Sequence, residues 1–302
     1  ESLTMAMTQK ARELKAQGRD ILSFSAGEPD FDTPQVIKEA AKTALDNGAT
    51  KYTAVAGIPE LLSAIANKLK RDNNLTYSND QIVVSNGAKQ SLFNLLAVLL
   101  DAGDEVIIPN PSWVSYPEMV RYYSGEPIFI QTDESTHFKL TPDALKNAIT
   151  PKTKILMLNS PSNPTGSIYS HNEIAALGKV LEGTDIIIFS DEMYEHFLYD
   201  EVQHIPALSV SSLKERTVQI SGFSKVFSVT GWRIGYAIAS KEIIAAMANY
   251  NDLIYVCAPA PLQIGVSEGL KQLDDSYYID LAKVHQEKRD LFCTALEEVG
   301  LN

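Results

Sequence analysis

The sequence predicts an α/β fold whose large domain is a mostly parallel seven-stranded sheet flanked by helices. Short β-rich runs alternate with helical patterns along most of the chain. Between their ends most of the runs are uncharged on both faces, as expected of strands covered on both sides. Polar, aromatic and ionisable residues gather directly after the runs, where open parallel sheets bind their ligands.

In chain order the strands are QIVVS (81–85), EVIIP (105–109), EPIFIQ (126–131), KILMLN (154–159), DIIIFSDE (185–192), TVQIS (217–221) and IGYAIA (234–239). Each is short and rich in Ile and Val, residues that suit a pleated, buried surface. Helical stretches such as GAKQSLFNLLAVLLDAG (87–103) and SHNEIAALGKVLEG (170–183) lie between them. That alternation is the mark of β–α–β construction. The opening segment and SYYIDLAKVHQEKRDLFCTALEEVG (276–300) also read as helices, and they are expected to meet in a smaller lobe.

With 302 residues, 45% hydrophobic and 21% charged, the chain has ordinary globular composition. Its length suits one large domain or about two ordinary ones. The net charge of −12 repels phosphate backbones and anionic lipid, so nucleic-acid and membrane partners are disfavoured. Cys257 and Cys293 have no metal-ligand spacing and form no disulfide framework, and no signal peptide is visible. The apolar run LFNLLAVLL (92–100) is too short to span a bilayer. A cytoplasmic protein is expected.

Five strand ends deliver chemistry to one rim. Asn86-Gly87-Ala88-Lys89 follows the first strand, and Pro111-Ser112-Trp113 the second. Asn163 follows the run 154–159, Asp191 and Tyr194 follow 185–190, and Ser221 through Lys225 follow 217–221. Taken singly, each residue has a plainer reading. Lys225 would be a solvated loop lysine and Trp113 a core residue. Asp191 would be a helix N-cap, and NPTG (163–166) a turn.

The ordered set is more specific. A desolvated lysine near other cations loses its proton and attacks a carbonyl to form a Schiff base. Arg233, eight positions beyond Lys225, offers a planar fork suited to phosphate. The small residues at 86–89 open a helix whose free N–H groups form an anion site. A phosphate plus an aldehyde points to pyridoxal phosphate. Asp191 would then pair with the pyridine nitrogen, keeping the ring an electron sink. Tyr194 and Asn163 would hydrogen-bond its phenolic oxygen, and Trp113 would stack on its face.

Through SFSAGEPDFDTP (23–34), KYTAVAGIPEL (51–61), NPSWVSYPEMV (110–120), NSPSNPTG (159–166), SDEMYEHFLYD (190–200) and GFSKVFSVTGWRIGY (222–236), the chain resembles a known family. It is the pyridoxal-phosphate-dependent class I aminotransferases of fold type I, and the bacterial-type aspartate aminotransferase branch in particular. The resemblance implies that Lys225 holds the cofactor's aldehyde and later shuttles a proton between the substrate Cα and the cofactor's C4′. It implies that Arg233 and the backbone of Gly87, Ala88 and Lys89 hold the phosphate, with Asp191, Tyr194, Asn163 and Trp113 in the roles given above. Tyr52 would reach the phosphate of a neighbouring subunit, which makes the expected assembly a homodimer with shared active sites. Gly27, Trp113 and Asn163 match positions near the substrate's α-carboxylate. Lys89, with the hydroxyls of Ser2 and Thr4, matches positions that meet its side-chain carboxylate.

Two departures stand out. Many relatives carry a phosphate-binding serine three residues before the lysine; here that position is Gly222, leaving Ser221 or Ser224 as substitutes. The chain also stops at EEVGLN, before the arginine with which the family clamps the α-carboxylate. The implied domains are 1–31, the N-terminal segment of a small α/β domain; 32–275, the large cofactor-binding domain; and 276–302, an interdomain helix leading into the incomplete remainder of the small one.

The expected activity is ping-pong transfer of an amino group between aspartate or glutamate and a 2-oxo acid. A pyridoxal-phosphate β-lyase, or an aminotransferase for aromatic or other amino acids, is the alternative on the same fold. A non-catalytic regulator would want a DNA-binding module and a basic surface, and the net charge has the wrong sign.

Overall fold

The computed structural model describes residues 3–24 and 27–301. The chain divides into two compact units, 1–32 and 33–302. The first holds helix α1 (Leu3–Ala16) and an extended segment after it. Gly18, at φ +79°, donates to the Lys15 carbonyl and ends α1 with the left-handed turn that glycine favours.

The second unit begins with helices α2 (Gln35–Asp46) and α3 (Pro59–Asn73). Then follow β1 (Ile82–Ser85), α4 (Ala88–Leu99), β2 (Glu105–Asn110), α5 (Ser115–Tyr122), β3 (Glu126–Gln131), α6 (Pro142–Ala148), β4 (Thr153–Asn159), α7 (His171–Val180) and β5 (Ile187–Asp191). Strands β6 (Thr217–Gly222) and β7 (Gly235–Ile238) precede helices α8 (Lys241–Ile254), α9 (Ala260–Gln272) and α10 (Asp275–Glu298). The strands form one sheet in the order β1-β7-β6-β5-β4-β2-β3. Only β7 runs against its neighbours, so the carboxyl ends of the other six share one edge with the start of β7.

The uncharged strands are buried on both faces for the reason the sequence suggests. Alternate residues enter two separate cores. Val106, Ile108, Ile155, Phe189, Val218 and Ile220 pack on one side with Leu92, Leu95 and Leu96 of α4. Ile107, Leu156, Leu158 and Ile188 pack on the other with Leu145 of α6 and Ile174 and Leu177 of α7. Local signals set the helix ends. Ser170 and Glu173 form a reciprocal capping box on α7, and Asp274 accepts from the Ser276 N–H at the start of α10. No helix among the described residues is long and apolar enough to cross a membrane.

All seven expected strands are present, with small differences at their ends. The run 185–192 pairs only from Ile187, because Arg216 Nη1 takes the carbonyls of Leu181 (3.0 Å) and Ile186 (3.3 Å). The helical pattern 87–103 stops at Leu99, where Asp104 accepts from the Asp101 N–H and Gly103 turns the chain at φ +88°.

One close approach seats the site. A Cβ on Gly235 would lie 2.3 Å from the Ala88 nitrogen and 2.5 Å from the Gly87 carbonyl carbon. Glycine at the start of β7 therefore lets α4 begin directly on the strand.

Candidate active site

The first turn of α4 is an anion site built by geometry. Gly87 precedes it at φ +85°, and a Cβ there would lie 2.3 Å from Arg233 Nη2. The guanidinium thus lies against the glycine, beside the free N–H groups that open the helix. Arg233 is itself held in the left-handed region at φ +56°, and its Nη1 donates to the Thr230 carbonyl at 2.6 Å. It remains exposed.

Lys89 projects from the same turn toward the exit of β2. Its Nζ stands 4.7 Å from the Trp113 ring centroid, a cation–π distance. Partial burial, and then the Arg233 charge, lower its pKa. Trp113 is half-buried and meets Tyr116 edge-on at 5.3 Å.

Tyr116 leads to the centre of the rim. Its hydroxyl donates to Asp191 Oδ2 at 2.7 Å, and the Met193 N–H donates to Oδ1 at 3.2 Å. Asp191 is 8% exposed and makes no ion pair among the described residues. Burial pushes its carboxyl up to about 6 against the pull of these two hydrogen bonds. A buried carboxylate in that position is set to receive a cationic N–H. Asp191 is not a helix N-cap, because β5 runs into turns rather than a helix: one oxygen binds the turn that follows the strand, and the other carries Tyr116.

Asn163 and Tyr194 lie near one another at the exits of β4 and β5. Burial and the Asp191 charge raise the Tyr194 pKa, and the nearby Asn163 amide opposes them. Asn159 organises this corner. Its Nδ2 donates to the Asp191 carbonyl at 2.9 Å, and its Oδ1 accepts from the Asn163 N–H at 2.6 Å.

Lys225 lies half-buried in the turn that follows β6, between buried Ser224 and Val226. Phe223 and Phe227 stack beneath that turn at 5.8 Å. The position of Gly222 leaves little room, since a Cβ there would lie 3.1 Å from Gly235 Cα and from Met193 Cε. The Ser221 hydroxyl is turned inward, within 3.3 Å of the Glu192 carbonyl and 3.2 Å of Glu195 Oε1. Ser221 is thereby removed as a substitute phosphate ligand. Ser224 is buried.

Gly87, Ala88, Lys89, Trp113, Asn163, Asp191, Tyr194, Lys225 and Arg233 therefore share one edge of the sheet. Tyr52 is 84% exposed, with its ring facing solvent. Gly27 belongs to the first unit and is exposed. Ser2 and the Thr4 side chain lie outside the described residues.

Tyr116 and Asn159 are the residues that the reading of the sequence missed. Each had a signal: Tyr116 follows Trp113 by three in a segment that becomes helical, and Asn159 opens the NSPSNPTG motif.

This donor set fits pyridoxal phosphate on the structure's own terms. An arginine and a helix start suit the phosphate, a buried carboxylate with no ion pair among the described residues suits the protonated ring nitrogen, and a lysine stands on the same rim.

A family model described as "Aminotransferase class I and II" matches residues 19–302. The aspartate aminotransferase of Bacillus subtilis is 52% identical over 249 residues, which are 82% of this chain and 63% of that protein. The aspartate/prephenate aminotransferase of Nitrosomonas europaea is 45% identical over 301 residues, covering 99% of this chain and 76% of its own length. Among solved structures, aspartate aminotransferase from Thermus thermophilus with maleate superposes with a TM-score of 0.94 at 42% identity, covering 100% of this chain and 79% of that one. The chain thus spans less than two thirds of the Bacillus subtilis relative.

The Asp191 environment makes a pH dependence. The folded carboxyl keeps its proton up to about pH 6 and the unfolded one only to about 3.9. Its protonated state therefore stabilises the fold fully below about pH 4, and that stability is lost as pH rises through about 6. The shift is worth about 3 kcal/mol. In protein without added ligand, Asp191→Asn should gain roughly that much unfolding free energy relative to the parent between pH 4 and 7. Urea unfolding across that window measures it. A constant difference would show that Asp191 titrates as an ordinary carboxylate.

Proposed function

This chain belongs to the class I and II aminotransferases, and from that premise we propose that it transfers an amino group between aspartate or glutamate and a 2-oxo acid by a ping-pong mechanism. The family uses pyridoxal phosphate. The observation that carries the reading is Asp191, a buried carboxylate that makes no ion pair among the described residues, on the same rim as the Gly87–Arg233 anion site and Lys225.

When bound, pyridoxal phosphate supplies an aldehyde that accepts the amino group and a ring that draws electrons from the substrate's Cα. Arg233 and the backbone at Gly87, Ala88 and Lys89 would hold the phosphate. Asp191 keeps the ring nitrogen protonated, and Tyr116 and the Met193 N–H keep Asp191 aimed. Tyr194 and Asn163 donate to the phenolic oxygen. Trp113 packs on the ring. Lys225 would hold the cofactor's aldehyde end through its amine, and that amine, placed beside the substrate's Cα, would serve as the proton carrier.

Lys89 meets the substrate's side-chain carboxylate. Its support is the ammonium's place beyond the phosphate turn, against Trp113. An ammonium is a compact point charge on a flexible stem, able to serve both aspartate and glutamate. Trp113 and Asn163 approach the α-carboxylate. Tyr52 serves the phosphate of a second copy, so the working unit is a homodimer; its outward-facing ring supports that reading.

Full-length protein given pyridoxal phosphate should turn yellow, and borohydride should fix a pyridoxyl group on Lys225. Peptide mapping that finds the group on another lysine would overturn the assignment. Lys89→Ala should raise KM for aspartate and 2-oxoglutarate about 10- to 100-fold, the worth of a hydrogen bond between charged groups, while sparing aromatic donors. Equal weakening of all donors would place Lys89 with the phosphate instead. Mixing Tyr52→Phe with Lys225→Ala should restore one working site per heterodimer. Heterodimers with no more activity than either parent would show that Tyr52 does not act across subunits.

A further inference from the structure

Behind the rim lies a buried ion pair that none of these roles uses. Lys68 of α3 is 4% exposed and bonds Glu195 Oε2, on a side chain 6% exposed. Replacing such a pair by apolar residues of similar size is often neutral or stabilising, so stability alone does not account for it. Its connections are more informative. Glu195 directly follows Tyr194, and its second oxygen accepts from Ser221 Oγ at 3.2 Å. Ser221 lies four residues before Lys225. The β5–β6 ladder ends with the Glu192 N–H donating to the Ile220 carbonyl at 2.8 Å. Past that rung, Glu195 and Ser221 tie the two exits together through their side chains.

We propose that the Lys68–Glu195 pair is a positioning device that sets Tyr194 and Lys225 at their working separation by holding Ser221. The proposal rests on the reading of the rim given above. Lys68 anchors the device to α3, where Asp72 stands 3.9 Å away and Asn73 accepts at 3.4 Å. His196, His204 and Tyr278 of α10 complete the surroundings, with burial keeping His196 neutral. Burial, the largest single influence, opposes the Glu195 charge, and Lys68 with His196 and His204 together outweigh it, so the carboxylate stays ionised.

Two variants of full-length protein test this. Lys68→Met/Glu195→Leu replaces the pair with apolar bulk, and Ser221→Ala cuts the link while leaving the pair intact. Both are checked by circular dichroism and cooperative unfolding, then titrated with pyridoxal phosphate. With Tyr194 displaced, the ring oxygen loses a donor to its anionic form, so the pH midpoint of the visible band should rise by about one unit. The dissociation constant for pyridoxal phosphate should weaken about tenfold. Folded variants with the parent's midpoint and affinity overturn the proposal; if the double variant does not fold, Ser221→Ala decides alone. Failure of the rim reading looks different: the parent itself would then develop no visible band.

Discussion

The architecture of the rim depends on one steric contact, the seating of the Gly87–Ala88 peptide on Gly235. No side chain fits between α4 and β7 at that point, because even a Cβ would come within 2.3 Å of the Ala88 nitrogen. With the helix start fixed on the strand, Arg233, two residues before Gly235, lies against Gly87. The antiparallel β7 makes this possible. Reversal of one strand brings its beginning to the edge where β1 and β6 end, so an arginine preceding a strand joins residues that follow strands.

Charge is distributed against the trend of the whole molecule. The chain carries a net −12, yet Lys89, Lys225 and Arg233 gather at this edge, and Lys89 has a lowered pKa because of burial and Arg233. An anionic ligand relieves that repulsion. Asp191 has the opposite character, a buried carboxylate whose pKa burial raises. A single ligand with a phosphate at one end and a protonated ring nitrogen at the other satisfies both, and neither group alone does.

Legibility in the sequence followed the kind of signal each residue leaves. Strands buried on both faces leave uninterrupted apolar runs, so all seven were readable. Residues at strand ends were readable because a lysine, an arginine and an aspartate are out of place beside such runs unless something pairs them. Tyr116 and Asn159 were missed because their roles are tertiary. An aromatic beside a tryptophan reads as core until its hydroxyl is seen on Asp191, and an asparagine at a strand end reads as a turn. Lys68 did leave a trace. In α3 the buried positions are Leu61, Leu62, Ala64, Ile65, Lys68 and Leu69, so a lysine occupies the apolar stripe of an amphipathic helix. A cation on that stripe needs an anion inside, and no local pattern names Glu195 as its partner, 127 residues on.

Two of the left-handed non-glycine residues lie in the segment that carries Lys225 into β7. Arg233 sits at φ +56° and Ser228 at φ +51°, on either side of a short turn that separates Lys225 from β7. Such backbone costs of order 1–3 kcal/mol per residue and persists where the surroundings over-determine it. Here those surroundings are specific. Ser228 is held as its carbonyl accepts from Thr33 Oγ at 2.8 Å, and Val226 as its carbonyl accepts from Tyr277 of α10 at 2.6 Å. The turn bearing Lys225 is thus fixed from outside by bonds to its backbone. For the role proposed for Lys225, positioned acid–base work at a reacting carbon, a fixed backbone under a long side chain is the arrangement that orientation requires.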